Sequence, residues 1–126
     1  MTKTAIVVEN APAAGPYSAA IRVGDLLYSS GQLPLDPETG EVVEGCAACQ
    51  TKQVLKNVGA VLDAAGATFQ DVVKTTVFIT DMANFAKMNE VYASFFSEPF
   101  PARSAIAVVA LPKGVLVEIE FVALLS

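Results

Sequence analysis

Histidine is absent from the 126 residues, and with it goes a large share of enzyme chemistry. The chain cannot supply a Ser-His-Asp triad, a Cys-His pair, a histidine nuclease pair or an HExxH zinc site. Acid–base work falls to carboxylates, Tyr, Lys, Cys or bound water. Arginine occurs only as Arg22 and Arg103, so two-pronged recognition of a carboxylate or phosphate has two candidates. Charge is also scarce: 17% of residues are charged, against roughly 25% in an average soluble domain. What charge there is leans negative, with 13 acids against 8 bases for a net charge of −5, so a surface that neutralises nucleic-acid phosphates is not expected.

Long apolar runs are missing too. Met1 to Pro16 carries one lysine and no continuous apolar stretch, so no secretory signal is expected. The longest uncharged apolar run, Ser104 to Pro112, is far short of the ~20 residues of a membrane helix. These features point to a cytoplasmic protein without membrane contact. The length suits one domain, residues 1–126. Hydrophobic residues make up 53% of it, a surplus that suggests buried contact between subunits.

The only cysteines, Cys46 and Cys49, form a C-x-x-C. Such a pair is redox-active when it opens a helix beside a thioredoxin-type strand. Here tryptophan is absent and no βαβ pattern surrounds the pair, so two small, partly buried thiols in a helical turn are the simpler expectation. Two thiols without histidine leave a zinc site half built unless subunits share it, and neither metal nor cofactor is expected.

Thr4 to Val8 is β-branched and bounded by Asn10-Ala11-Pro12, which suggests a short strand. Ser18 to Val23 and Leu26 to Ser30 flank Gly24-Asp25 as a hairpin. Leu33 to Glu44 holds Pro34, Asp36-Pro37 and Thr39-Gly40, turn chemistry that excludes a long regular element. From Gly45 onward Leu55, Val58, Leu62 and Ala65 fall at helical spacing, and Gly66 sits where a C-terminal cap belongs. Val72 to Thr80 reads as a strand. Asp81 caps a second helix whose stripe of Phe85, Met88, Tyr92 and Phe95 is most simply core, with Pro99 as its stop. Arg103 to Leu111 and Val115 to Leu124 are strands expected to pair as antiparallel neighbours through Leu111-Pro112-Lys113-Gly114. The order β-β-α-β-α-β-β indicates an α+β domain with helices on one face of a mixed sheet.

Strand period puts Glu118 and Glu120 on one face, with Val117, Ile119 and Phe121 on the other. A hairpin register would set the face holding Arg103, Ala105, Ala107 and Val109 beside the glutamates. Two readings stay open: a structural ion pair between Arg103 and a glutamate, or a small-molecule pocket for which Ala105 and Ala107 leave room.

Pro101-Ala102-Arg103-Ser104, continued through Leu111-Pro112 to Val117-Glu118-Ile119-Glu120, resembles the C-terminal signature of the Rid (YjgF) family of reactive-intermediate deaminases. Asn10-Ala11-Pro12 with Gly15-Pro16-Tyr17-Ser18, Ser29-Ser30-Gly31-Gln32, Asp36-Pro37 with Thr39-Gly40, Val73-Lys74-Thr75-Thr76-Val77-Phe78 and Met88-Asn89-Glu90-Val91-Tyr92 resemble further family segments in the family's order. The resemblance spans nearly the whole chain, and Arg103 places it nearest the enamine/imine deaminase branch.

The resemblance implies a chorismate-mutase-like α+β fold, a homotrimer with an inner barrel of sheets, and one pocket at each subunit interface. It also implies hydrolysis of 2-imino acids of the 2-iminopropanoate and 2-iminobutanoate type, arising from 2-aminoacrylate-type enamines, to 2-keto acids and ammonia. Arg103 is then the carboxylate clamp and Glu118 orients and deprotonates water, with Glu120 in reserve. Tyr17 hydrogen-bonds that water or closes the pocket, the alternative being a surface or interface tyrosine. Ser30, Gly31, Asn89, Ala105 and Pro112 complete the binding site, Gly31 because a missing side chain admits substrate to the main chain. Many family members carry cysteine where this chain has Ala105, so thiol chemistry at that position is excluded while hydrolysis through bound water is expected to survive. The alternatives are a regulator that binds keto acids without turnover and a chaperone-like trimer. Ribonuclease activity, also attributed to the family, suits an acidic chain without histidine poorly.

Overall fold

The computed structural model describes residues 2–9 and 11–126; Asn10, expected in the turn bounding the first strand, lies outside them. Six strands and two helices follow one another: β1 (Lys3–Ile6), β2 (Ala20–Val23), β3 (Leu26–Ser29), α1 (Ala47–Ala64), β4 (Val72–Ile79), α2 (Phe85–Phe95), β5 (Ala102–Ala107) and β6 (Val117–Leu124). Three strands precede α1, matching the three segments read as strands, so the order is β-β-β-α-β-α-β-β rather than β-β-α-β-α-β-β. They form one mixed sheet in the order β1-β2-β3-β6-β4-β5, with both helices packed on one face, the expected chorismate-mutase-like α+β arrangement. No helix among the described residues is long and apolar enough to cross a membrane.

The helices form for the reasons their sequences suggest. In α1, Val54, Leu55, Val58, Val61 and Leu62 are all buried, a stripe at i, i+1, i+4, i+7 and i+8. Each such side chain contributes roughly 1.5–3 kcal/mol by leaving water. The helix ends in a Schellman motif: Gly66 N–H donates to Asp63 O at 3.0 Å and Ala67 N–H to Leu62 O at 2.8 Å. Gly66 has φ +75, which a Cβ would strain. Asp81 caps a short 3-10 turn, Met82–Asn84, by accepting from Ala83 N, and α2 follows directly. Met88 and Tyr92 of α2 are buried, with Phe85 and Phe95 packed around them.

One expected pairing is overturned. β5 and β6 are not neighbours: β4 lies between them, parallel to β5 and antiparallel to β6. The alternation of Val117, Ile119, Phe121 and Ala123, all buried, suits a central strand, and β3 and β4 occupy both edges of β6. No edge remains for β5, which returns from the α2 crossover to lie at the sheet margin, as a parallel pair requires. Leu111-Pro112-Lys113-Gly114 therefore belongs to a wide connection rather than to a hairpin turn.

The second face of the sheet carries no helix among the described residues. Leu26 pairs with Leu124 and Tyr28 with Val122 across β3 and β6, and Leu26, Tyr28, Leu124 and Ile106 are all exposed. Glu118 and Glu120 stand on this same face.

Candidate functional site

Because β4 separates β5 from β6, Arg103 does not stand beside the glutamates. It pairs with Thr75, which pairs in turn with Phe121, so its side chain shares the face of those residues, under the helices. Glu118 pairs with Phe78 and points the opposite way. The ion-pair reading falls, and the expected register with it. Within one chain the signature residues divide into two clusters.

Arg103 belongs to the first. Its Nη1 donates to Asn89 Oδ1 at 2.6 Å, and its guanidinium carbon lies 4.8 Å from the centroid of the Tyr92 ring and 5.5 Å from that of Phe85. Stacking on aromatic faces holds a planar guanidinium flat while its remaining N–H donors point outward. Tyr92 is itself fixed: its hydroxyl and Thr75 Oγ1 are 2.7 Å apart in the core, and burial pushes the phenol's pKa up, outweighing the Thr75 hydrogen bond and the Arg103 charge. Arg103, Asn89, Tyr92, Ala93, Phe100 and Pro101 line an open cleft of about 380 Å³. A cation in an aromatic, otherwise apolar cleft can hold a small carboxylate with its apolar tail against the rings.

The second cluster gathers around Glu118. Gln32 bridges to Ile119 from the segment after β3, which brings Gly31 against the Glu118 side chain. A Cβ at Gly31 would meet the glutamate's Cδ at 2.7 Å and Oε2 at 2.8 Å, so only glycine leaves this carboxyl its position. Ser30 Oγ donates to Ser18 O at 2.6 Å and Ser30 N–H to Ala19 O at 2.9 Å, tying in the loop that carries Tyr17. Burial first, and then the charge of Glu120, raise the pKa of Glu118 above the ordinary carboxylate value. Half-buried and harder to ionise, Glu118 has the character of a group prepared to take up a proton.

The remaining expected residues sit less centrally. Tyr17 is 55% exposed and lies over a shallow apolar hollow of about 170 Å³ beside β1. Ala105 pairs with Val77 and packs against the core, with its backbone on the strand that bears Arg103. Pro112 opens an exposed turn, Pro112–Gly114. Sequence reasoning missed the platform of Tyr92 and Phe85 and the cleft wall of Phe100 and Pro101. The stripe containing Tyr92 is core, as expected, yet its phenol also underlies Arg103. A buried tyrosine hydroxyl needs a polar partner, and that need was the available signal. The thiols depart from expectation as well: Cys46 and Cys49 are exposed and unbridged rather than partly buried.

Comparison with known proteins follows this geometry. The family described as Endoribonuclease L-PSP matches residues 8–125. A RutC family protein of Pyrococcus horikoshii is 55% identical over 96% of this chain and 97% of its own length. The 2-iminobutanoate/2-iminopropanoate deaminase of Salmonella typhimurium is 50% identical over 98% of each. The crystal structure of Escherichia coli TdcF with bound serine superposes with a TM-score of 0.91 at 42% identity, covering 98% of this chain and 99% of that one.

Proposed function

The chain belongs to the Endoribonuclease L-PSP (YjgF/Rid) family, and on that footing we propose that it hydrolyses 2-imino acids to 2-keto acids and ammonia. The observation that carries this reading is Arg103, a cation held by Asn89 over two aromatic rings and facing an apolar cleft. Such a group suits a small acid with one permanent negative charge. The family's description names a ribonuclease, but a chain without histidine and with net charge −5 has little with which to bind or cleave RNA.

A bidentate grip on the substrate carboxylate fixes the C=N carbon. Water adds to that carbon while Glu118 takes one of its protons and passes it to nitrogen, giving the carbinolamine; the hydroxyl proton then moves to nitrogen by the same route, the C–N bond breaks, and ammonia leaves the keto acid behind. General-base assistance of this kind contributes about 10²–10⁴-fold. No step calls for a metal or cofactor. Ser30, Gly31 and Tyr17 line the water side, while the backbone at Ala105, on the strand that bears Arg103, lines the carboxylate side, with Pro112 at the margin.

The two clusters lie on opposite faces of one sheet, so a complete site needs a second copy that brings one chain's Arg103 to another's Glu118. The exposed apolar face of Leu26, Tyr28, Ile106 and Leu124 is a surface such copies would cover. These grounds call for more than one copy, and the family resemblance implies that the copies number three, with a site at each interface. Free thiols at Cys46 and Cys49 suit a reducing compartment, the cytoplasm.

The test is ammonia and keto-acid release from freshly generated 2-imino acids, corrected for spontaneous hydrolysis, with Arg103→Ala in parallel. Acceleration lost in the variant supports the reading. A folded, assembled protein that binds 2-ketobutyrate without accelerating release would instead be a binding regulator, a reading favoured by the serine bound in the TdcF relative.

A further inference from the structure

One pair of nucleophiles plays no part in the proposed hydrolysis. Cys46 is the N-cap of α1 and Cys49 stands in its first turn. Their sulfurs are 2.7 Å apart, one thiol donating to the other, and Cys49 N–H donates to Cys46 Sγ at 3.3 Å. Both side chains are exposed. We propose that Cys46 and Cys49 form a reversible dithiol–disulfide couple, with Cys46 as the thiol that exchanges with low-molecular-weight disulfides.

The roles follow from the geometry. A negative sulfur at the N-cap faces the unpaired N–H groups and positive end of α1. Cys46 Sγ accepts from the Cys49 backbone N–H and, once ionised, from the Cys49 thiol, and hydrogen bonds with Cys49 lower its pKa. Cys49, one turn along, has no such set of donors and is placed to attack Cys46 once the latter is oxidised. Thiolate Cys46 attacks one sulfur of an external disulfide RSSR, forming a Cys46–SR mixed disulfide and expelling RS⁻. Cys49 thiolate then attacks Cys46 Sγ, closing the Cys46–Cys49 bond and expelling a second RS⁻. The two thiol protons go to the two leaving groups, so one dithiol and one RSSR become one protein disulfide and two RSH.

The couple is also wired to the fold. Gln50, next to Cys49 and buried, donates to Val43 O at 3.2 Å and accepts from Leu116 N at 2.8 Å. The first turn of α1 is thereby fixed to the preceding loop and to the approach to β6, which holds the two sulfurs in register rather than leaving them on a fraying end.

The test uses the full-length reduced protein and glutathione disulfide, read by intact mass and thiol titration. The expected product is one chain lighter by two hydrogens, with both thiols lost together and restored by dithiothreitol. In Cys49→Ser the glutathione adduct on Cys46 accumulates, because nothing resolves it. In Cys46→Ser the adduct on Cys49 forms more slowly, by roughly threefold or more at pH 7. A lasting glutathione adduct on the native chain, disulfides between chains, equal rates in the two variants, or thiols inert to the reagent would each overturn the proposal. None of these readouts depends on imine hydrolysis, so the outcome is separate from that of the deaminase reading.

Discussion

Gly31 and Glu118 are in such close contact that a single methyl group at residue 31 would lie 2.7 Å from the glutamate's carboxyl carbon. The obstructed atoms are the far end of a flexible side chain, so Gly31→Ala moves the carboxylate rather than the backbone. The expected outcome is a melting temperature close to the native value and a kcat lower by about 10²-fold, the scale of loss when a reacting group shifts by about 1 Å. Steady-state kinetics with 2-iminobutanoate, alongside thermal denaturation, checks both halves. An equal fall in stability and activity would assign Gly31 to folding instead.

Asn89 acts through Arg103 and is a positioning residue. Asn89→Ala frees the guanidinium and raises KM by several-fold with kcat nearly kept. Asn89→Asp places a rival carboxylate where the side-chain amide oxygen accepts from Nη1, and KM rises further, roughly tenfold or more. If the two variants behave alike, charge competition at Arg103 is not what they report.

Glu118 sets a pH dependence whose sign is fixed. Its folded pKa is raised by burial and by Glu120, and a general base works only when ionised, so the acid limb of kcat/KM falls above the ordinary glutamate pKa. Glu120→Gln removes the smaller of the two causes and moves that limb to lower pH. In stability the folded chain holds this proton to higher pH than the unfolded one, so native stability declines as pH rises through the window between the two pKa values. Glu118→Gln relieves that burden at neutral pH and gives no such relief well below the window. Rate profiles and melting temperatures across pH 4–8 measure both.

Thr75 and Tyr92 share one buried hydrogen bond of 2.7 Å. Thr75→Val strands the phenol and costs about 1–3 kcal/mol, roughly 4–11 °C in melting temperature. Tyr92→Phe keeps the ring beneath Arg103 and leaves KM within about twofold. The double variant falls short of the sum of the two losses, because neither polar partner is then left alone.

Much of the fold was legible because two periods dominate it. The stripe Leu55, Val58, Leu62, Ala65 announces α1, and the alternation of Val117, Ile119 and Phe121 announces β6 and assigns Glu118 to the opposite face. Period fixes which way a side chain points but not which strand lies alongside, and that gap misplaced β5. The turn residues Leu111 to Gly114 suit a hairpin locally; the competition of β3 and β4 for the edges of β6 is a long-range matter that no short segment contains. The site was legible to the same degree. Resemblance named Arg103, Gly31 and Glu118, while the platform under Arg103 stayed hidden because Tyr92 occupies an ordinary core position and its second duty depends on a strand eleven residues further on.

The place of β6 also sets a schedule. Among the described residues the β1–β3 ribbon and the β4–β5 pair are joined through residues 117–124, the strand that follows the other five in the chain. The two half-sheets share no strand without it, so the sheet closes at its centre, and Gly31 meets its glutamate only when β6 is threaded into the middle.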